Sequence, residues 1–336
     1  MEIIEEQPRP QVLISILNWN NAELTLRCLT SLEAAGYLSS EDVEVLVIDN
    51  GSRPGDADVM ARYCEQKQVR FRANAENRGF AGGHNDALQE ALKRSVPFIW
   101  ILNNDTLVPS NALEALLSTM KAHEDCACAA PCLAFEDTER IYFAGSKHDW
   151  AALEADWCPT PWDESFHSTE SLDIWSVGTA TLLRSAALQQ VGLLNDALFA
   201  YYDDDDIGAR FRQSGWRTVI LKSVVVKHGP EPVGENERPP YFYYLMTRNR
   251  AVFYLQFTPR PYRRLIHVRL YARAAANAAR LKAAGRADLA DATLLGIQDA
   301  LSGRLGPPVL NRRVNVTTRL LAKLVNIANF MQRSVS

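Results

Sequence analysis

Residues 96–109 read VPFIWILNNDTLVP. An apolar run rich in aromatic and branched residues ends in Asn103, Asn104 and Asp105, and Thr106 and Pro109 stop it soon after. That is the pattern of a long buried strand with a polar tip. Two upstream stretches have the same form. QVLISILNWN (11–20) ends with Asn18 and Asn20, and VEVLVIDNGS (43–52) ends with Asp49, Asn50, Gly51 and Ser52. Helical spacing fills the gaps: NAELTLRCLTSLEAAG (21–36), PGDADVMARYCEQ (54–66) and NALEALLSTMKAH (111–123). VRFRAN (69–74) reads as a short strand, and NRGFAGGHNDALQEALKR (77–94) as a glycine-rich loop opening a helix. Continuously apolar strands alternating with helices predict an α/β fold, a mostly parallel central sheet flanked by helices. In such sheets ligands lie beyond the carboxyl ends of the strands. The polar tips are therefore candidate site residues on pattern alone.

Beyond about residue 137 the pattern weakens. Trp150, Trp157, Pro159, Pro161 and Trp162 mark an irregular or short-stranded stretch up to about residue 173. WSVGTATLLRSAALQQVG (175–192) then reads as strand followed by helix, and WRTVILKSVVVKHG (216–229) as an apolar β-rich run ending in His228. From Tyr241 onward Ala, Leu and Arg dominate, which predicts helices.

The bulk composition is that of a globular protein: 336 residues, 47% hydrophobic and 23% charged. The acidic, polar start MEIIEEQPRP is neither a signal nor a transit peptide, and no apolar run approaches the roughly 20 residues of a spanning helix. Six cysteines include the cluster CACAAPC (126–132), which reads as a buried strand of small residues with free thiols, for want of a second ligand pair. The net charge of −4 is uneven: Tyr241–Ser336 holds sixteen Lys and Arg against three acids, the preceding part twenty against thirty-seven. Different partners are expected for the two parts.

Several residues suggest chemistry. FAYYDDDDIGARFRQSGW (199–216) places four aspartates between apolar neighbours, where carboxylates need a cation, a proton or a donor. NRGFAGGHN (77–85) is neither a dinucleotide fingerprint nor a Walker loop. Gly79, Gly82 and Gly83 permit close backbone approach and Arg78 adds charge, which suits either an anion at the helix N-terminus or a plain helix start. Asp105 at a strand end reads as a ligand for a hard ion such as Mg2+ or Mn2+, or as a helix cap. His228 ends a strand in the same way.

Taken in order, SILNWN with VLVIDNGS, NRGFAGGHN, ILNNDTLVP, WSVGTATLLR, VGLLNDALFAYYDDDDIGARFRQSGW and VVKHG resemble the inverting glycosyltransferases of family 2, with the GT-A nucleotide-sugar fold. The likeness covers about residues 12–229, and YYLMTRNR and GIQDALSGRLG extend it. It is strongest for the bacterial branch that builds surface polysaccharides, including rhamnosyltransferases. The resemblance implies a nucleoside diphosphate sugar as donor, with dTDP-rhamnose the first expectation, and a saccharide or lipid-linked saccharide as acceptor. Asp49 then meets the nucleotide base, with Asn18, Asn50, Arg78 and Gly79 around the nucleotide. Asn103, Asn104 and Asp105 fill the Asp-x-Asp motif, Asn103 standing where many relatives carry the first acid. Asp105 and His228 resemble the metal ligands. Asp203 takes the Glu place of the Glu-Asp-x-Asp motif and Asp204 that of the general base, while Asp203, Asp205 and Asp206 are expected mainly to cap the following helix. Trp175, Gly178, Tyr202 and Asp203 are the implied acceptor contacts, with the aromatics as a wall for a sugar ring.

The resemblance further implies a GT-A catalytic domain over residues 11–239. Its nucleotide-binding part is expected at about 11–135 and its acceptor-binding part at about 136–239, between an N-terminal tail (1–10) and a basic helical extension (240–336). A metal-dependent nucleotidyltransferase or sugar-nucleotide hydrolase would use the same diphosphate site without the acceptor wall. The tail's interleaved arginines and aromatics suit an anionic membrane surface, and equally a second subunit in a homodimer. Nucleic acid is disfavoured because the acidic front part repels phosphates. The expected location is cytoplasmic, peripheral at the inner face of the plasma membrane.

Overall fold

The first strand, β1 (Val12–Asn18), is buried at six of its seven positions and becomes an interior strand of a large sheet. The computed structural model describes residues 10–157, 168–171, 174–231 and 238–333. Beside β1 run β2 (Val43–Asp49) and β4 (Phe98–Asn103), both parallel to it, and β3 (Arg70–Ala73) extends the parallel edge. On the other side the sheet continues through β11 (Ala180–Arg184), β6 (Cys126–Ala134), β12 (Arg217–His228) and β10 (Ser168–Ser171). Here pairing is mixed: β11 is antiparallel to both β4 and β6, β12 is parallel to β6, and β10 is antiparallel to β12. Two short strands complete it, β5 (Thr106–Leu107) on β12 and β7 (Ile141–Phe143) on β6. A separate pair, β8 (Ser146–Asp149) and β9 (Glu154–Trp157), lies in the stretch expected to hold short strands.

Alternation along the strands explains the layers. Val12, Ile14, Ile16, Trp100 and Leu102 face one core, shared with α1 (Ala22–Ala34), α2 (Pro54–Lys67) and α4 (Ala112–Ala122). Leu13, Ile99 and Ile101 face the other, shared with α3 (Gly79–Lys93), α5 (Ser185–Val191) and α6 (Asp203–Gln213). All nine residues of β6 are buried, Cys126, Cys128 and Cys132 among them. Cys158, Pro159, Pro161 and Trp162 lie outside the described residues.

The strand read in residues 96–109 ends at its polar tip. β4 ends at Asn103, the chain turns at Asn104 and Asp105, and Thr106 Oγ1 donates to the Asn103 carbonyl at 2.7 Å. β5 then leaves to pair with β12, His228 opposite Thr106. This turn joins the strand tip at Asp105 to the one at His228, far along the chain.

The described residues form two units, one within Met1–His148, Ala155–Asp196 and Asp203–Glu231, the other within Asp149–Glu154, Ala197–Tyr202 and Pro232–Ser336. The second is helical: α7 (Pro240–Phe257), α8 (Ile266–Ala283), α9 (Ala287–Leu301) and α10 (Val316–Arg333). Gly296 lets α9 touch α7, since a Cβ there would sit 2.5 Å from the Tyr244 carbonyl.

Candidate active site

Parallel register brings the predicted tips together: Asn18 pairs with Asp49, and Leu17 with Asn103. Their side chains form a buried network. Asn18 Nδ2 donates to Asp49 Oδ1 at 2.7 Å, and Thr25 Oγ1 donates to Asn18 Oδ1 at 2.7 Å. Asn104 Nδ2 donates to that same Thr25 hydroxyl at 2.9 Å. Asp49, expected to meet a nucleotide base, is 1% exposed, and its second oxygen accepts the Ser52 N–H at 3.0 Å. Asn50 is equally buried and organises the glycine loop. Its Nδ2 donates to the Gly79 carbonyl at 2.9 Å, and its Oδ1 accepts from Asn74 Nδ2 and the Arg78 N–H.

The glycines serve packing more than ligand approach. Gly79 takes φ +74°, closed to most side chains. Gly83 faces Leu17, where a Cβ would overlap its Cδ1, so this glycine lets α3 sit on β1. Arg78 Nη1 pairs with Asp86 Oδ2 at 2.7 Å while its side chain stays 40% exposed. It is thus held by its own helix and still faces solvent.

Asp105 and His228 do meet. His228 Nε2 lies 3.1 Å from Asp105 Oδ1, and the Asn103 amide nitrogen lies 3.2 Å from the same ring atom. The other ring nitrogen, Nδ1, shares a 2.5 Å hydrogen bond with the Tyr142 hydroxyl, which fixes the ring. Burial opposes ionisation of Asp105, but the bond from His228 and its charge prevail and hold the carboxyl below its usual range. One carboxylate oxygen and one oriented imidazole converge on a point, a donor set that suits a divalent ion able to take further oxygens from a diphosphate. Among the described residues no third His, Cys, Asp or Glu joins them. Tyr142 was missed in the sequence reading, because it stands in the weakly patterned stretch and only the folding of β7 beside β6 brings it to His228.

The four aspartates open α6 and point in four directions. Asp204 Oδ2 accepts the Gly178 N–H at 3.0 Å and Oδ1 the Asp205 N–H at 2.9 Å. Burial, and then the Asp205 charge, push its carboxyl up to about 7 despite those donors. Asp203 is 3% exposed, and burial together with the Asp204 charge pushes it well above its ordinary value. Asp203 and Asp204 line a small, mainly apolar pocket with Gly178, Phe80, Ile207 and Phe211. The expectation that the remaining acids mainly cap α6 is corrected for two of them. Asp205 accepts from His148 Nε2 at 2.9 Å, and Asp206 binds Arg210 at 2.7 Å, whose guanidinium also holds the Val191 and Leu193 carbonyls. Once the chain folds, both meet partners better than a helix end.

The expected aromatic wall is also corrected in part. Trp175 is 3% exposed, with α6 against its ring at Gly208 and the edge of His148 against it at 4.4 Å between centroids. It supports α6 from within and offers no open face. Gly178 contributes its N–H to Asp204 and its bare α-carbon beside Phe80. Tyr202 belongs to the second unit, where Arg250 Nε donates to its hydroxyl at 2.8 Å.

The site thus combines an oriented acid–imidazole pair at two strand tips with two buried carboxylates of raised pKa at the start of α6. The sequence model of Glycosyl transferase family 2 matches residues 13–192. The chain belongs to glycosyltransferase family 2. Among curated members is the N-acetylglucosaminyl-diphospho-decaprenol L-rhamnosyltransferase of Mycobacterium tuberculosis, 27% identical over 224 residues, 60% of this chain and 70% of that protein. Solved glycosyltransferases share the GT-A fold. GalNAc-T7 with UDP, GalNAc and Mn2+ has a TM-score of 0.55 at 15% identity, over 75% of this chain and 52% of that one. A mannosyltransferase from Pyrobaculum calidifontis with GDP-Man and Mn2+ has a TM-score of 0.52 at 18% identity, over 88% of each chain. This chain thus spans about half the length of the first of these structures.

Proposed function

We propose that this family 2 enzyme is an inverting, metal-assisted hexosyltransferase that moves rhamnose from dTDP-rhamnose to a hydroxyl of a saccharide, free or carried on a lipid, in bacterial surface polysaccharide synthesis. The observation that carries the reading is Asp204. It is a single carboxylate steered by two backbone N–H groups, with a pKa raised to about 7 in the lining of a pocket. A base is most effective when its pKa lies near the working pH.

In this reading Asp204 takes the proton of the acceptor hydroxyl as that oxygen bonds the anomeric carbon. The diphosphate oxygen departs from the opposite face, and the configuration inverts. Asn103, Asn104 and Asp105 hold the diphosphate end. Asp49 and Asn18 shape the base end, with Asn50 and Gly79 setting the loop that carries Arg78. Asp105 and His228 would hold Mg2+ or Mn2+, which supplies charge neutralisation for the leaving diphosphate. Gly178 aims Asp204, Asp203 keeps the pocket around it nearly free of charge, and Trp175 supports their helix from below. Residues 11–239 form the catalytic domain in this scheme.

The rhamnosyl donor and lipid-linked acceptor rest on the curated relative, whose name specifies both a rhamnosyl transfer and a decaprenyl-diphosphate carrier. Peripheral contact with the cytoplasmic face of the membrane fits the sixteen basic and three acidic residues from Tyr241 onward. It also fits α10, where Val316, Leu320, Leu321 and Leu324 stand exposed on one face. Among the described residues no helix is long and apolar enough to cross a membrane. A panel of dTDP-, UDP- and GDP-sugars, assayed for binding and for slow hydrolysis with and without saccharide acceptor, tests the function. Tight binding of dTDP-rhamnose and turnover that depends on acceptor are expected. Equal turnover without acceptor would instead indicate a hydrolase.

A further inference from the structure

The basic residues of the helical unit do two different jobs. Between Arg248 and Arg273 many bind groups of the unit itself. Arg248 Nη1 donates to the Gly306 carbonyl at 2.6 Å, Arg263 Nε to the Thr258 carbonyl at 2.7 Å and Arg269 Nη1 to the Tyr262 carbonyl at 2.9 Å, while Arg273 pairs with Glu154. Of the aromatics among them, Tyr243, Tyr244, Phe253, Tyr254, Phe257 and Tyr271 are buried. Much of this stretch therefore packs the unit rather than covering it.

Residues 301–324, LSGRLGPPVLNRRVNVTTRLLAKL, have the opposite character. Among the described residues fourteen large apolar side chains are exposed, and eight of them fall in this one segment. It also holds five Lys and Arg and no acid. Its first half is a loop pinned from within. The buried Asp299 accepts from the Tyr244 hydroxyl at 2.6 Å and from both terminal nitrogens of Arg312. Leu305, Val309 and Leu310 are left outside, and Arg304 and Arg313 are exposed with them. The second half is the start of α10. Thr318 and Ala322 are buried, and the Tyr271 hydroxyl of α8 donates to the Thr318 carbonyl. Leu320 stands about 160° around the helix from Ala322, at about 100° per residue. Val316 and Leu324 lie one turn to either side of it, and all three are exposed. α10 thus has two apolar faces, and packing covers one of them.

Exposed leucine and valine beside a surplus of cations is the composition of an interfacial helix. Protein interfaces instead favour Trp and Tyr anchors and under-use Leu and Val. A bilayer with anionic headgroups accommodates both parts at once: the acyl boundary takes the apolar side chains and the phosphates take the cations. We infer that residues 301–324 are the surface on which the helical unit lies against an anionic lipid bilayer. The inference rests on the proposed peripheral contact with the membrane and assigns that contact to one segment.

Flotation of the full chain with phosphatidylcholine vesicles, with and without phosphatidylglycerol, tests it. Wild type should rise with the anionic vesicles only. Leu320→Gln combined with Leu324→Gln keeps the charge and should lower the vesicle partition constant at least about tenfold. Arg313→Gln combined with Lys323→Gln should lower it as well and flatten its salt dependence. Lys121→Gln, exposed on α4, should leave it in place. Anionic vesicles should also slow hydrogen exchange at the amides of residues 301–324 in wild type. All these positions are exposed, so Tm is expected to stay at its wild-type value. If wild type floats and the leucine pair floats equally well, the inference is overturned while peripheral contact through another surface stands. If wild type does not bind anionic vesicles, both fall. If the leucine pair turns a wild-type dimer into a monomer in sedimentation and leaves flotation unchanged, the face belongs to a second copy of the chain and the inference is again overturned.

Discussion

In the proposed mechanism, replacing Asp204 by Asn removes the base while leaving the donor site untouched. Each Asp204 oxygen already accepts one backbone N–H, from Gly178 at 3.0 Å and from Asp205 at 2.9 Å. An asparagine can satisfy only one of these, since its own N–H2 faces the other, and it cannot take a proton. A positioned general base contributes about 10²–10⁴-fold, or about 2.7–5.4 kcal/mol at about 1.36 kcal/mol per tenfold. We therefore expect kcat to fall by at least about two orders of magnitude, with nucleotide-sugar affinity by calorimetry nearly unchanged. The wild-type pH profile gives a second handle. The base works deprotonated, and burial followed by the Asp205 charge sets its carboxyl at about 7. Below that pH kcat should drop about tenfold per unit, with a plateau above. Stability runs the other way. Folding raises this group from 3.8 to about 7, so its stabilising contribution is complete below the unfolded value and is lost as pH rises through the folded one. Asp204→Asn should flatten that part of the Tm–pH curve. Near-wild-type kcat in Asp204→Asn, with Asp203→Asn or Asp205→Asn as the crippling change, would refute the assignment.

Asp205→Asn removes the charge that helps raise Asp204, so the acid limb of the pH–kcat profile should move to lower pH; an unmoved limb would mean that burial alone sets it. Asp105→Ala and His228→Ala should each weaken nucleoside diphosphate binding in Mg2+ or Mn2+, measured by calorimetry, and full activity in excess chelator would remove the metal from the mechanism. Gly208→Ala places a methyl 2.9 Å from the Trp175 ring and should lower stability by about 1–3 kcal/mol, read by denaturant unfolding; no change would show that the ring is free to shift. In flotation assays the protein should rise with anionic vesicles at low salt and be released at high salt, because each basic residue near such a surface adds about 1 kcal/mol. Equal recovery with neutral and anionic vesicles at low salt would leave pairing of a second subunit as the role of the basic helices.

The alternation of apolar strands with helices, and the polar tips at Asn18, Asp49 and Asn103, were legible in the chain because strand burial and the parallel crossover leave a period that local sequence carries. The order of the motifs indicated the family for the same reason. What lay between the tips was not legible. Asp105 and His228 meet because the chain turns at Asn104 and sends two residues across to β12, and Tyr142 orients the imidazole from a stretch with no pattern. The run DDDD holds four identical residues, so nothing local separates them. A helix turns about 100° per residue, and each carboxylate is then assigned by what lies in its direction. Gly178 meets Asp204, His148 meets Asp205 and Arg210 meets Asp206, while Asp203 is pressed into the core. Local sequence dictated that acids open this helix; tertiary packing decided which partner each of them meets.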